Sequence, residues 1–190
     1  MIKASWVFAL LAFLIFLNCG VTDPNVNSIL NQQLGSSEYS FNSSLKAWNS
    51  LKGINGNTYT YQRNNYNPVA DSGSYTTIGV EAGEVVSRKY EIYYWNREND
   101  PATQIIEEEY VENASQIGNN LEGYEAINMD DIYHTCRVYL ILFDEVNTDA
   151  DTFTFTTASN GRLTECTYWP VDVQDQSPYS VQITDFKWGL

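Results

Sequence analysis

The chain has 190 residues, with 24 Asp and Glu against 10 Lys and Arg, and a formal net charge of −14 at pH 7. A surface this acidic is repelled by phosphates, which excludes nucleic acid as a partner. The length fits one domain with a sizeable core behind a short leader. The 14 tyrosines and 5 tryptophans favour a strand-rich extracytoplasmic domain.

The N-terminal residues have the pattern of a secretory signal. Lys3 supplies the positive charge, and the unbroken apolar run from Trp6 to Leu17 is too short to span a bilayer comfortably. Polar sequence follows the run immediately. Residues 1–18 are therefore predicted to be a signal peptide, and the protein is expected to be exported.

The segment Phe16-Leu17-Asn18-Cys19-Gly20 resembles the lipobox of bacterial lipoproteins. The resemblance implies that Cys19 is acylated and becomes the mature N-terminus, so that the lipid anchors the protein in a membrane of the cell envelope. Phe16 and Asn18 depart from the usual residues of the motif. The alternatives are a secreted protein cleaved near Gly20 and a retained N-terminal membrane anchor.

The number of cysteines supports the lipid prediction. The chain has three, so acylation of Cys19 would leave Cys136 and Cys166 as a pair. In an oxidising compartment these two are predicted to form a disulfide worth about 3–4 kcal/mol in the chain-entropy model. The alternative is that both remain small buried thiols.

Composition divides the exported part into a spacer and one domain. Residues 19–40 are rich in Asn, Ser, Gln and Gly and are predicted to be a flexible tether. Residues 41–190 are predicted to form a single domain. It opens with a short helix that Ser43 or Ser44 caps and that carries Trp48 on its apolar side.

Strand-like alternation and turn residues together predict six strands. Ala82-Gly83 and Asn160-Gly161 are the expected hairpin turns, because Gly accepts a positive φ angle there. The predicted strands are residues 57–63, 75–80, 84–94, 153–157, 162–168 and 179–188.

Two segments between these strands have apolar residues near helical spacing. The first follows Asp100-Pro101 and carries Glu107 to Glu109 beside its isoleucines, which predicts a solvent-exposed helix. The second begins at Asp130 and predicts a helix with one face packed on the sheet. Residues 137–143 of this second segment also suit a buried strand.

The predicted order is a helix, three strands, one or two helices and three strands. This order lacks the β-α alternation that parallel sheets require. The expected fold class is therefore α+β, an antiparallel sheet with helices packed on one face. A β-sandwich or small barrel is the alternative, favoured if the segment after Asp130 is extended.

Four features of this arrangement carry a resemblance. They are the Trp-bearing helix before Thr58-Tyr59-Thr60-Tyr61, the Gly turn within residues 80–85, the acidic helix start at residues 129–132 and the closing residues 181–186. With them the chain resembles a loosely defined class of small exported bacterial lipoprotein-like domains of unknown function. The class supplies no active-site residues.

No catalytic residues are predicted. His134 is the single histidine, so a cluster or pair of histidines is not available, and no nucleophile motif accompanies it. We expect His134 to be a surface or capping residue. Paired carboxylates of the kind used in glycoside hydrolysis stay open, because their separation in space is not visible in a sequence.

No cofactor is expected, and calcium is the one metal hypothesis. Asp144, Asn147, Asp149 and Asp151 place oxygen ligands at nearly alternating positions, as a hard cation requires. The run lacks the glycine and the distal acid of an EF-hand loop, so a turn of solvated acids is the alternative.

Aromatic side chains suggest a binding surface. Planar rings stack on apolar faces at small entropic cost, and the candidates are Tyr66, Tyr75, Tyr93, Tyr94, Trp95, Tyr168 and Trp169. We expect Tyr94-Trp95 and Tyr168-Trp169 to form the centre of such a surface.

The function that the sequence favours is a lipid-anchored, non-catalytic cell-envelope domain that binds a protein or a glycan. One alternative is a secreted hydrolase that uses paired carboxylates. A second is an inhibitor-like or structural interaction module.

Overall fold

The computed structural model describes residues 24–146, 151–170 and 179–190, with side chains from residue 35. Two units are distinguished, Met1–Gln33 and Leu34–Leu190. The elements within the described residues are α1 (Pro24–Asn55), β1 (Tyr59–Asn67), β2 (Ser72–Glu81), β3 (Glu84–Asn96), β4 (Thr103–Asn113), α2 (Met129–Val146), β5 (Thr152–Thr157), β6 (Leu163–Trp169), β7 (Tyr179–Gln182) and β8 (Asp185–Trp188).

The strands of the described residues form a five-stranded sheet in the order β4-β3-β2-β1-β8 and a three-stranded sheet in the order β5-β6-β7. Every pairing is antiparallel. The β2–β3 hairpin turns at Ala82 and Gly83, whose φ angles are 51° and 93°. A hairpin turn with two consecutive positive φ angles matches the right-handed twist of the flanking strands. Glycine is favoured at Gly83 because it adopts a positive φ angle without steric cost.

The two sheets are joined where the chain leaves one and enters the other. The amide of Ile183 donates to the carbonyl of Thr164 beside the three-stranded sheet, and the next amide, of Thr184, donates to the carbonyl of Gln62 in β1. The sequence predicts a single closing strand over residues 179–188. The structure corrects this to β7 and β8, since alternation continues through a change of sheet and does not reveal it.

Both sheets and both helices share one hydrophobic core. Trp48 of α1 has no exposed surface, and its indole stacks on Trp188 at 5.6 Å between ring centroids. The indole N–H donates to Asp130 Oδ1 at 2.8 Å, so its polar atom is satisfied as well. The other buried apolar residues of this core include Phe41, Tyr59, Tyr61, Ile78, Val80, Met129, Ile132, Tyr133, Cys136, Leu140, Phe143, Leu163, Cys166 and Tyr168.

The helix α1 is longer than the short helix that the sequence predicts. It begins at Pro24, a residue favoured in the first helical turn, and therefore includes residues 24–40 of the predicted tether. It ends beyond Gly53, where Gly56 takes a φ of 72° and the amide of Asn57 donates to the carbonyl of Lys52. This is the Schellman pattern of a glycine-terminated helix. The role of residues 19–40 as a spacer stays a prediction.

The helix predicted after Asp100-Pro101 is wrong, because Thr103–Asn113 is the edge strand β4. Its register against β3 shifts between Ile92 and Tyr93. A β-bulge of this kind inserts one extra residue into β4. The residues of β4 on one face are therefore even-numbered before the bulge and odd-numbered after it. Ile106 and Tyr110 are four residues apart, which is a helical spacing, although in the strand they lie on opposite faces.

A buried ion pair holds the loop between β4 and α2 against the five-stranded sheet. Arg88 Nη1 lies 2.6 Å from Glu112 Oε2, and Arg88 Nε donates to the carbonyl of Tyr124 at 2.9 Å. The second carboxylate oxygen of Glu112 accepts from the amide of Asn120. The hydrogen bond from Arg88 is the main cause that lowers the pKa of Glu112.

The fold is α+β, as predicted, and the helix that begins at Met129 matches the prediction for Asp130 onward. The finer expectation of one sheet is replaced by two, and the described strands do not close into a barrel. The predicted order is also corrected, since four of the described strands precede α2 and four follow it.

The predicted disulfide between Cys136 and Cys166 is present. It joins α2 to β6 across 30 residues of sequence, and neither cysteine has exposed surface. Within the described ranges, neither helix combines the length and the apolar composition needed to cross a bilayer.

Candidate functional site

The five-stranded sheet has one face on the core and a second face, here called the outer face, that points away from it. Side chains alternate along a strand, so the neighbours of the buried Tyr59, Tyr61 and Ile78 lie on the outer face. By the observed register the outer face comprises Thr60, Gln62, Asn64, Tyr66, Gly73, Tyr75, Thr77, Gly79, Ser87, Lys89, Glu91, Tyr93, Trp95, Gln104, Ile106, Glu109, Val111, Asn113, Asp185 and Lys187.

Four aromatic side chains gather at one end of the outer face and are called the aromatic platform: Tyr66, Tyr75, Tyr93 and Trp95. Tyr75 stacks on Tyr93 with 4.5 Å between ring centroids and 19° between planes. Trp95 meets Tyr93 edge to face at 6.5 Å. Tyr93 is only 2% exposed, whereas Tyr66 and Trp95 are 42% and 36% exposed. Tyr93 is thus the buried ring that both Tyr75 and Trp95 contact.

A glycine makes this arrangement of rings fit. A Cβ atom on Gly73 would lie 2.6 Å from the hydroxyl oxygen of Tyr93 and 2.4 Å from the carbonyl oxygen of Asn65. Any side chain at this position would therefore displace the Tyr93 ring from the sheet. Glycine within a strand often marks such a close approach.

Amide side chains border the platform and fix its hydroxyl groups. The Tyr93 hydroxyl donates to Asn64 Oδ1 at 3.1 Å. Gln104 Nε2 donates to the Tyr75 hydroxyl at 2.9 Å. Because amides carry both donors and acceptors, Asn64 and Gln104 keep capacity for a further hydrogen bond.

An ion pair lies beside Tyr66, between the β1–β2 turn and the residue after β3. The Tyr66 hydroxyl donates to Asp71 Oδ1 at 2.8 Å, and the Arg97 guanidinium binds both carboxylate oxygens of Asp71. The hydrogen bonds from Arg97, and next from Tyr66, lower the pKa of Asp71 to about 2. The hydrogen bond to Asp71 raises the pKa of Tyr66 and of Arg97. The pair therefore stays ionised, and Tyr66 keeps its proton, at neutral pH.

The remaining charges of the outer face are also paired. Lys89 Nζ lies 2.9 Å from a carboxylate oxygen of Glu91 and 2.8 Å from one of Glu109. Lys187 lies 2.7 Å from Asp185. In a chain with a net charge of −14, the outer face is therefore close to electrically balanced.

The structure separates the four aromatic residues that the sequence predicts as the centre of a binding surface. Trp95 belongs to the platform, while Tyr94 lies on the opposite side of β3. Tyr168 is 3% exposed and stacks on Tyr179. Trp169 is exposed at the end of β6, in the other sheet. Sequence alternation identifies faces within a strand but not the register that joins Tyr66, Tyr75 and Tyr93 to Trp95.

The calcium hypothesis is only partly covered by the structure. Asp144 is exposed and lines a cleft with Arg137 and Glu38, and Asp151 is buried where it accepts a hydrogen bond from Tyr168. Asn147 and Asp149 lie outside the described residues. Among the residues that the structure does describe, no three His, Cys, Asp or Glu side chains are grouped to hold a metal ion. Calcium binding stays a prediction.

Two further predicted positions have no chemistry assigned to them by the structure. His134 is exposed on α2. Cys19, the predicted lipid attachment residue, lies outside the described residues.

The fold and the outer face define an α+β domain with a preorganised aromatic surface on one sheet. The chain matches no protein-family model, no curated protein and no solved structure.

Proposed function

We propose that this protein is a lipid-anchored, non-catalytic cell-envelope domain whose aromatic platform binds an uncharged glycan. The observation that carries the proposal is a set of supported, accessible rings with bordering amides on a charge-balanced face of a strongly acidic chain.

The exposed rings of the aromatic platform suit the stacking of sugars. Sugar rings present apolar C–H faces that stack on Tyr and Trp side chains, while their hydroxyl groups need hydrogen-bonding partners. Trp95 and Tyr66 expose apolar surface, and Asn64 and Gln104 stand beside them with donors and acceptors. Because Trp95 packs against Tyr93 and the Tyr66 hydroxyl is bound to Asp71, little side-chain freedom is lost on binding.

The paired charges of the outer face suit an uncharged ligand. A cationic protein ligand would be attracted to the many other acids of the chain, whereas the acids on the outer face and in the turn beside it are paired with Lys89, Arg97 and Lys187. A ligand without charge has no unfavourable electrostatic interaction with such a surface. This favours a neutral glycan over a charged protein segment.

The carboxylates on the outer face and in the turn beside it favour binding over hydrolysis. A glycoside hydrolase needs one carboxyl group with a raised pKa to serve as acid. The pKa of Asp71 is instead lowered to about 2 by its hydrogen bonds, and Glu91 and Glu109 share the ammonium of Lys89.

Two observations support the proposed location. The Cys136–Cys166 disulfide suits an oxidising compartment. The segment ending at Cys19 has the lipobox pattern described above.

Binding is tested by affinity electrophoresis and calorimetry with neutral polysaccharides, comparing the native chain with Trp95→Ala and Tyr66→Ala. We expect each substitution to weaken binding at least tenfold, since each removes a stacking surface. Tyr94→Ala is the matched control, because Tyr94 is 39% exposed on the same strand but on its other side. Its affinity should match that of the native chain.

Two results would contradict the proposed function. One is the absence of binding to every polysaccharide in a panel of β- and α-linked neutral polymers. The other is a dimer, detected by light scattering, that Trp95→Ala converts to a monomer, because the platform would then serve self-association.

The proposed anchor is tested by intact mass of the protein purified from its native membrane. We expect a chain that begins at Cys19 and carries the mass of added acyl groups. A chain that begins downstream of Cys19 without added mass would refute lipid anchoring and leave the glycan proposal standing.

A further inference from the structure

We infer that the outer face binds an extended glycan along its length, across the strands from β1 to β4, and does not capture a chain end. This inference rests on the proposed function and adds the form of the ligand and its direction on the sheet.

The register places one row of residues straight across four strands. Tyr66 of β1 pairs with Gly73 of β2, Gly73 pairs with Tyr93 of β3, and Tyr93 pairs with Ile106 of β4. The bulge between Ile92 and Tyr93 is what brings Ile106 to the outer face at this level. Without that extra residue the side chain facing outward here would be Glu107.

Exposed apolar side chains lie at the two ends of this row, and a third lies beside its middle. Tyr66 is 42% exposed at one end and Ile106 is 43% exposed at the other, with Trp95 at 36% next to the central Tyr93. Because Gly73 has no side chain, the Tyr93 ring lies low across β2 and forms a floor. The row is therefore exposed and apolar at its two ends, with Trp95 beside its low centre.

The length of the row sets the number of sugar units. Neighbouring strands are about 4.8 Å apart, so the row from β1 to β4 is roughly 14 Å long. One pyranose with its linking oxygen is close to one strand spacing in length, so about three units fill the row. Each unit meets one exposed apolar group, which is Tyr66 or Ile106 at an end of the row and Trp95 beside its middle.

The openness of the row argues against recognition of a chain end. End-specific recognition requires an enclosed pocket whose polar groups satisfy the terminal hydroxyl groups. Here both terminal residues, Tyr66 and Ile106, lie at exposed positions, and Asp71 and Arg97 beside Tyr66 are already bound to each other. A longer chain continues past the row in both directions.

The experiment measures affinity against chain length. Cello-, xylo-, laminari-, malto- and chito-oligosaccharides of one to six units, and the corresponding soluble polymers, are titrated calorimetrically into the native chain. We expect at least one series to gain affinity about tenfold per unit up to three units and to level off beyond four. Chemical reduction of the terminal sugar of the tetramer should leave its affinity within twofold.

Variants at the ends of the row give an independent readout. Ile106→Ala should leave dimer affinity within twofold and weaken trimer affinity five- to tenfold. Val111→Ala is the matched control, since Val111 is on the same face of the same strand, 63% exposed, and outside the row. It should change neither affinity.

The outcomes separate this inference from the proposed function. A monosaccharide that binds as tightly as the trimer, or a reduced terminus that abolishes binding, would overturn the inference while glycan binding stands. Equal effects of Ile106→Ala on dimer and trimer would also overturn it. The absence of binding in every series and polymer would overturn the proposed function and the inference together.

Discussion

Asp71 shows how one residue prepares the site before any ligand arrives. It lies in the turn between β1 and β2 with a φ of 50°, a conformation that Asp adopts more readily than most residues. From there it accepts a hydrogen bond from Tyr66 and binds Arg97. The turn therefore orients an accessible ring of the platform through a charge-assisted contact.

Arg97→Gln is predicted to raise the pKa of Asp71 from about 2 toward its ordinary value of 3.8, since the largest cause of the lowering is the hydrogen bond from Arg97. The folded-state pKa lies below the unfolded one, so this carboxylate stabilises the fold above about pH 4, and the contribution is lost as the pH falls through about 2. Carboxyl-detected NMR titration measures the change, with Lys187→Gln as control. An unaltered Asp71 titration in Arg97→Gln would refute this assignment.

At the scale of elements, the start of α2 is fixed by one asparagine. Asn128 Oδ1 accepts from the amide of Asp131, three residues on, which is N-cap geometry. Asn128 Nδ2 also donates to the carbonyl of Gly83 at 3.2 Å. The cap therefore joins the helix to the β2–β3 turn.

Asn128→Ala is predicted to lower the free energy of unfolding by about 1–2 kcal/mol, because it removes the N-cap and the contact with the turn. Asn128→Asp keeps the capping oxygen and should lose less. Urea unfolding followed by tryptophan fluorescence measures both, with the exposed Asn119→Ala as control. Equal stabilities of Asn128→Ala and the control would show that the cap contributes nothing.

Elements with strong local signals could be predicted from the sequence. The Ala82-Gly83 turn, the Asn160-Gly161 turn and the α2 helix all have residues whose local preference agrees with the fold. The strand β4 could not be predicted, because its bulge follows from pairing with β3 and leaves no local trace. The same bulge hides Ile106, so the sequence does not reveal the far end of the candidate site.

At the scale of the whole molecule, the core depends on aromatic contacts and one covalent link. Phe143 stacks on Phe153 at 5.9 Å, and Trp48 meets Tyr59 edge to face at 5.3 Å. The residues that fill this core could be predicted in part from periodicity, as Trp48 shows. Tyr168 is predicted to lie at the surface but is buried. A tyrosine suits either face of a strand, and its contact with Phe143 of α2, which the sequence does not reveal, shows that it faces the core.

Replacing Cys136 and Cys166 together by Ala is predicted to lower the free energy of unfolding by about 3–4 kcal/mol, the chain-entropy value for a 30-residue separation. Urea unfolding of the double variant measures the loss. The native chain unfolded with a strong reductant present should lose a similar amount. A reductant without effect on the native chain would show that no such bond forms, as would two free thiols in non-reducing peptide mapping.

Because of the change of sheet at Ile183 and Thr184, the five-stranded sheet is completed only by the last residues of the chain. Strand β8 is the neighbour of β1, although more than a hundred residues separate them. While the chain is still being made, the backbone groups of residues 59–62 that will pair with β8 face water without a neighbour, and an unpaired edge is prone to join another chain. A polypeptide stopped before Asp185 would keep that edge, so aggregation is the expected fate of shortened forms.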